Sequence, residues 1–385
     1  MADLVSPGDF PIAQRYIYLN AAAICLVPEI VARATQEWDR DFGTQGTLRL
    51  DEEAEAKVFD TLRQAAARLL GAQPDEIACG SNASEALCSL AWGLSPGPDQ
   101  NVVSAHVEFP SVVYPWLRVA QLTGCDVRLA RDQEHLIDPS ELMGLIDDRT
   151  SAVCISHVQY LTGQLLDVAA LAQVAHSHGA ILIVDATQSA GAVPIDVAAD
   201  DVDILVTSGY KWLCGPLGSA VLFVRRDLHE KLEPGLVGWR STEQVGLHFE
   251  ADRIGWARSA RRFEFGTIAY GCTVGLATAI DYLLGIGIEN IHSHNLALAD
   301  RLVEGLANLG AQFVSPSVEN LHSSILAVRF PGHDQARIAR RLNEERVVVS
   351  PRMGTVRISP HLYNTADDID RALETLSSIL REAED

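Results

Sequence analysis

Basic residues are scarce in this chain. Among 385 residues, 30 are Lys or Arg and 51 are Asp or Glu, a formal net charge of −21. A polyanion needs a cationic track, and the nearest thing to one is the short, isolated Arg258-Ser259-Ala260-Arg261-Arg262. DNA, RNA and anionic membrane surfaces are therefore poor partners. Long apolar runs are missing as well. No stretch approaches the roughly 18 residues of a spanning helix. The opening MADLVSPGDF has neither the basic nor the apolar region of a secretory leader, so none is expected. The seven cysteines, at 25, 79, 88, 125, 154, 214 and 272, are odd in number and include no Cys-x-x-Cys. That argues against a disulfide framework or a metal site and for a reducing, cytoplasmic setting. No Gly-x-Gly-x-x-Gly follows a strand-like run, which sets a nicotinamide dehydrogenase far behind.

What is present is an alternation of short apolar runs and helical stretches from about residue 60 to 235. Strands are expected near 77–80, 101–104, 127–130, 151–157, 180–185, 203–207 and 220–224. Helices are expected near 58–70, 84–93, 112–122 and 168–178, three of them stopping at Gly71, Gly124 and Gly179. Strands apolar on both faces, joined through helices, predict an α/β fold with a mostly parallel sheet covered on both sides. Ligands of such sheets bind beyond the carboxyl ends of the strands, where Ser81, Glu108, His157, Asp185 and Ser208 fall. Residues 233–270 lack a clean period and read as a long functional connection. From Val274 onward, helices mixed with short strands predict a smaller α+β domain. The expected division is an N-terminal segment 1–20, a large domain 21–250, and a linker with a small C-terminal domain over 251–385.

Two segments carry the chemistry: Val184-Asp185-Ala186-Thr187-Gln188 and Thr207-Ser208-Gly209-Tyr210-Lys211. Each sets a charged residue at the end of a buried strand. Lysine is costly to bury, and its amine becomes nucleophilic where its pKa is lowered. A buried Lys with a buried Asp nearby suits pyridoxal phosphate: the amine forms the Schiff base and the carboxylate keeps the pyridine nitrogen protonated.

Further motifs occur in order along the chain: Tyr18-Leu19-Asn20-Ala21-Ala22, Gly80-Ser81-Asn82-Ala83-Ser84-Glu85, Phe263-Glu264-Phe265-Gly266-Thr267, Val356-Arg357-Ile358-Ser359 and Tyr363-Asn364-Thr365. Together with the Asp185 and Lys211 segments they resemble the class V aminotransferase superfamily. These fold-type I pyridoxal phosphate enzymes include cysteine desulfurases, kynureninase and isopenicillin N epimerase. The resemblance spans nearly the whole chain. It implies the fold-type I fold, pyridoxal 5'-phosphate as cofactor, an α-amino acid as substrate, and a homodimer with active sites at the subunit interface. It implies Lys211 as catalytic residue and Asp185 at the ring nitrogen. Ala83, Ser84, Ser208 and Tyr210 are implied at the phosphate, Gln188 at the phenolic oxygen and Phe109 stacked on the ring. Thr267 is implied at the partner's phosphate, Arg357 at the substrate carboxylate, and Asn20, Ala22 and Tyr160 on the substrate side. Tyr210 stands where desulfurases carry a His, and Phe109 can stack as their His does but cannot transfer a proton. His157 and Cys214 are expected to be structural, and Trp239-Arg240 to line the substrate entrance.

The resemblance leaves the reaction open. Desulfurases need a nucleophilic Cys on a loop ahead of the substrate arginine, and Val347–Arg357 is short and has none. The expectation is therefore a β-eliminating lyase, of C–S lyase or kynureninase kind, acting on a Cys-derived or β-substituted amino acid and not forming a persulfide. Transamination and epimerisation stand as alternatives within the family. A binding module that has lost catalysis stands outside it.

Overall fold

The computed structural model describes residues 4–243, 252–316 and 323–382. The expected domain boundary at residues 250 and 251 lies outside the described residues.

Seven strands form the main sheet: β1 (Ile77–Gly80), β2 (Asn101–Ala105), β3 (Asp126–Ala130), β4 (Thr150–Ser156), β5 (Ile181–Asp185), β6 (Ile204–Ser208) and β7 (Ala220–Val224). Their order is β1-β7-β6-β5-β4-β2-β3. All pairings are parallel except those of β7, which runs antiparallel to both β1 and β6. Apolar side chains of β2 and β4 to β7 are buried on both faces of the sheet, so two core clusters form, one on each side. Each fully buried Leu or Ile contributes about 2 kcal/mol. The mostly parallel order directs the carboxyl ends of β4, β5 and β6 to one edge. There Ser156 pairs with Asp185, and Asp185 with Val206.

The first four α-helices are α1 (Glu29–Gln45), α2 (Glu52–Leu70), α3 (Ala83–Leu94) and α4 (Pro110–Thr123). Helix α3 begins where it does because the Asn82 side chain accepts the Glu85 N–H at 2.9 Å. Helix α4 starts on Pro110, whose missing N–H costs nothing in a first turn. Helix α1 was not anticipated. Its apolar residues are sparse, and only Val31 is buried. The helical stretch around Val274 and beyond is two helices, Tyr270–Ile286 and Ile288–Asn308, broken at Gly287.

A second core lies between the C-terminal helices and a four-stranded antiparallel sheet, β8 (Gln312–Phe313), β9 (Leu326–Arg329), β10 (Ser350–Arg352) and β11 (Thr355–Ile358), ordered β8-β9-β11-β10. Ile17 and Leu19 belong to this core, and Ile17–Tyr18 pairs in parallel with Val347–Val348. The N-terminal segment is thus stitched to residues more than 300 positions away. Between β10 and β11, Arg352 pairs with Thr355. The connection is therefore two residues, Met353 and Gly354, both at positive φ (45° and 73°), a tight turn matched to strand twist.

Candidate active site

Lys211 ends the turn that leaves β6. The turn is tied down by its backbone: Gly209 N–H donates to Ser219, Gly215 N–H to Gly209 and Cys214 N–H to Lys211. Gly191, at φ +93°, lies so close that a Cβ there would sit 2.5 Å from the Trp212 carbonyl oxygen, so only glycine lets this packing form. The Lys211 side chain is 8% exposed. Burial lowers its pKa to about 8, and Arg357 and Arg352 push the same way against the opposing pull of Asp185. Asp185 is buried at the end of β5 and accepts the Thr187 N–H at 2.8 Å. Burial raises its pKa, against the Thr187 bonds and Lys211. The two groups feel each other, yet no ion pair joins them. The space between them is left for something else.

Both line one small cavity with about 30 Å³ of free room. Nine of the residues singled out in the sequence line it: Ala83, Ser84, Phe109, Tyr160, Asp185, Gln188, Ser208, Tyr210 and Lys211. Larger hollows lie beside the N-terminal segment (about 230 Å³) and between α1 and α2 (about 390 Å³), but neither holds a buried amine. At one end of the site the Ala83 N–H donates to Ser208 Oγ at 2.9 Å, and Ser84 Oγ lies 2.6 Å from Ser111 Oγ. A helix start surrounded by hydroxyls suits a phosphate. At the other end the Phe109 ring, 42% exposed, has its centroid 5.5 Å from Lys211 Nζ and 5.4 Å from the Tyr160 ring. Gln188 is held at both ends: its Oε1 accepts from Trp212 Nε1 at 2.7 Å and its Nε2 donates to the Ala22 carbonyl at 3.0 Å. One amide hydrogen remains to face the cavity.

Arg357 comes from β11, in the smaller sheet. It is 2% exposed, and burial lowers its pKa to about 10. One nitrogen, Nη1, donates to the Tyr160 carbonyl at 2.6 Å, while Nε and Nη2 have no partner among the described residues. A buried guanidinium left with unmet donors is costly, and a carboxylate would satisfy them in a fork. Phosphate cradle, buried carboxylate, amine, ring-facing aromatic and open guanidinium together fit pyridoxal phosphate bearing an amino acid.

Other expected residues sit differently. Ala22 is buried behind Gln188, where its N–H donates to Ser359 Oγ and its carbonyl accepts from Gln188. It does not line the cavity. Asn20 is occupied by the Ser350 hydroxyl at 2.8 Å. Thr267 is exposed and away from the cavity of its own chain. Arg240 does not line an entrance: it is buried, paired with Glu55 at 2.6 Å and stacked 3.7 Å over the Phe59 ring. His157 is buried, and burial holds its pKa near 4.

Ser111, Ser156 and Thr187 line the cavity without having been anticipated. Behind them sits Glu108, whose oxygens accept from Ser156 N–H (2.7 Å), Ser156 Oγ (2.5 Å) and Gln159 Nε2 (2.6 Å). Its strand-end position was the only signal in the sequence. Its partners come from a neighbouring strand and the loop after it, which no local motif reveals.

A helix-flanked, mostly parallel sheet with a lysine at its carboxyl edge and a second, smaller core defines a fold-type I pyridoxal phosphate enzyme. The chain belongs to the class V aminotransferase family, whose pattern matches residues 17–372. It is 30% identical over 369 residues to the uncharacterized aminotransferase YcbU of Bacillus subtilis (strain 168), covering 96% of each chain. It is 30% identical over 392 residues to a probable cysteine desulfurase of Pyrococcus abyssi (strain GE5 / Orsay), covering 97% of this chain and 96% of that one. Among solved structures, the apo cysteine desulfurase of Thermococcus onnurineus NA1 superimposes with a TM-score of 0.89 at 27% identity, over 98% and 97% of the two chains.

These relatives overturn the expected reaction. The sequence reading excluded a persulfide-forming desulfurase and favoured an eliminating lyase. Full-length likeness to proteins named cysteine desulfurase points to the chemistry that was excluded. The reasoning failed because a cysteine-free turn bears on where the sulfur goes. It does not bear on whether the carbon–sulfur bond is cut.

Proposed function

We propose that this protein is a cysteine desulfurase: it takes L-cysteine, breaks the bond between Cβ and sulfur, and delivers that sulfur to a thiol as a persulfide, leaving alanine. The observation that carries the substrate class is Arg357, buried with two nitrogens unpartnered among the described residues and near enough that its charge lowers the Lys211 pKa. The likeness to named desulfurases carries the choice of reaction.

Pyridoxal phosphate, when bound, would supply an electron sink next to the substrate's Cα. The protein would do the rest. Lys211 Nζ would hold the cofactor and, with its pKa near 8, could exchange a proton with the substrate at working pH. Asp185 would keep a proton on the ring nitrogen, against the burial that raises its own pKa. Ser84, Ser208, Tyr210 and the start of α3 would hold the phosphate. Phe109 would cover the ring and exclude water, and Arg357 would orient the substrate through its carboxylate. Exposed Thr267 would reach a partner's phosphate in a homodimer. Free cysteines throughout the chain support work in a reducing cytoplasm.

The test is product analysis after adding L-cysteine and a reducing thiol to the purified, cofactor-loaded protein. Alanine with sulfide released by the thiol is expected. Pyruvate with ammonia would replace the assignment with elimination, and conversion of the cofactor to its amine form with a keto acid would replace it with transamination.

A further inference from the structure

A desulfurase needs a thiol to receive the sulfur. All seven cysteines of this chain lie among the described residues, and none lines the cavity. Cys25 and Cys214 face each other at 3.4 Å, with the Tyr363 hydroxyl 3.6 Å from Cys25. All three are buried, and burial pushes the Cys214 thiol far up. Cys79 and Cys154 are buried within the sheet, where burial raises both thiols. Cys125 is buried beyond the end of α4. Cys88, on α3, and Cys272, in the first turn of Tyr270–Ile286, are half-buried, and burial raises them as well. A thiol accepts sulfur as the thiolate and must reach the substrate. None of the seven lines the cavity, and burial raises five of them.

The turn ahead of Arg357 adds a positive observation. It consists of Met353 and Gly354 alone, held by the pairing of Arg352 with Thr355 and of Pro351 with Val356. Such a turn has no slack to swing a side chain into the cavity. Beside it, Arg352 is exposed and forms no ion pair among the described residues, yet its charge lowers the proton affinity of both Lys211 and Arg357. Ser350 pairs with Arg357 and Arg352 with Thr355, so the two arginines share one face of the hairpin, next to its rigid, short turn.

We propose that the sulfur acceptor comes from outside the chain: a small thiol bearing a carboxylate, guided by Arg352. This rests on the desulfurase reading above. In the step, the acceptor's thiolate sulfur bonds to the substrate sulfur. The bond from that sulfur to Cβ breaks, and its electron pair stays with carbon. Cβ gains a proton, matched by the one the acceptor thiol gave up. The sum is cysteine plus R–SH giving alanine plus R–S–SH. Carbon is reduced and the two sulfurs are oxidised in equal measure, so no outside oxidant or reductant enters.

The experiment uses the cofactor-loaded protein in excess over L-cysteine, with and without a second thiol. Without one, little alanine is expected, and mass spectrometry finds no added sulfur on the protein. Adding N-acetylcysteine releases alanine and N-acetylcysteine persulfide. N-acetylcysteine outpaces the neutral 2-mercaptoethanol, and Arg352→Gln reduces that advantage by about threefold, the scale of one partly exposed charge. Near-stoichiometric alanine without added thiol, with a sulfur atom gained by the protein and lost again in Cys88→Ser or Cys272→Ser, overturns the proposal while leaving the desulfurase reading intact. An equal preference for both thiols that Arg352→Gln does not change overturns the role of Arg352. Absence of alanine under every condition sinks the desulfurase reading, and this proposal with it.

Discussion

Two clusters of buried charge lie in this molecule, and they are built in opposite ways. Below the sheet's far edge, Arg63 and Arg240 converge on Glu264 and Glu55. Arg63 reaches Glu264 at 2.7 Å and Arg240 reaches Glu55 at 2.6 Å, and the Cys79 N–H and the Tyr270 hydroxyl supply further donors. Every charge there has an opposite charge, and the Arg63 pKa is raised by its partner Glu264 despite burial. At the carboxyl edge, Lys211 and Arg357 are as deeply buried, but neither pairs with a carboxylate among the described residues, and both pKa values fall. The first cluster is closed and fastens the 260–267 segment to the sheet. The second is open, and the missing partners are the ligand. A buried charge pair is weak grounds for inferring function, whereas a buried charge without a counter-charge is strong grounds for it.

The largest effect expected from this contrast is at Lys211. Lys211→Ala should lower turnover by roughly 10³–10⁶-fold, the range for removing a covalent catalyst, and leave the thermal midpoint within a few degrees. Borohydride would no longer fix cofactor to the protein, and retained activity would end the assignment. Next comes the closed cluster. Glu264→Gln strips two guanidinium groups of a partner and should destabilise by about 3–5 kcal/mol in denaturant titration, with KM unchanged in the protein that remains folded.

Arg357→Gln should do the reverse. It removes an uncompensated buried charge, so the ligand-free protein should be no less stable. Affinity for the amino acid, read by the spectral change on binding, should fall by about 1.5–3 kcal/mol, the contribution of a charged hydrogen-bonded pair, with cofactor retained. Loss of stability at Arg357 comparable to that at Glu264 would erase the distinction between the clusters. The smallest effect is in pH. The neutral Lys211 amine is the reactive form, so capture of cofactor by the apoprotein should quicken up to about pH 8 and level off above it. An unperturbed lysine would keep rising beyond pH 10. Because the Asp185 charge raises the Lys211 pKa, Asp185→Asn should move the plateau to lower pH.

Much of this was legible beforehand because it is local. Buried strands show as short runs of Ala, Val, Ile and Leu, and a strand-ending Asp185 or a post-strand Lys211 is visible in a few consecutive residues. Nine anticipated residues meet in one cavity since parallel strands bring their carboxyl ends to one edge. What local pattern concealed is instructive. Helix α1 hides because a helix that buries one side chain leaves little periodic trace. Arg240 looked like part of an entrance, yet its partner Glu55 is 185 residues away. Ala22 followed a motif by position, but its carbonyl serves Gln188 rather than the ligand.

The amino-acid sequence by itself determined the class of chemistry. Composition argued against nucleic acid as a partner, the alternation of elements implied the sheet, and Lys211 with Asp185 implied the cofactor. Tertiary structure decided the quantities that make the site work. It set the burial that brings Lys211 to about pH 8, left two donors open on Arg357, directed every cysteine away from the cavity, and reduced the turn before Arg357 to two residues. The reason is physical. Residue type and short-range spacing select elements and reactive groups, but desolvation and the presence or absence of a counter-charge depend on which distant segments pack together.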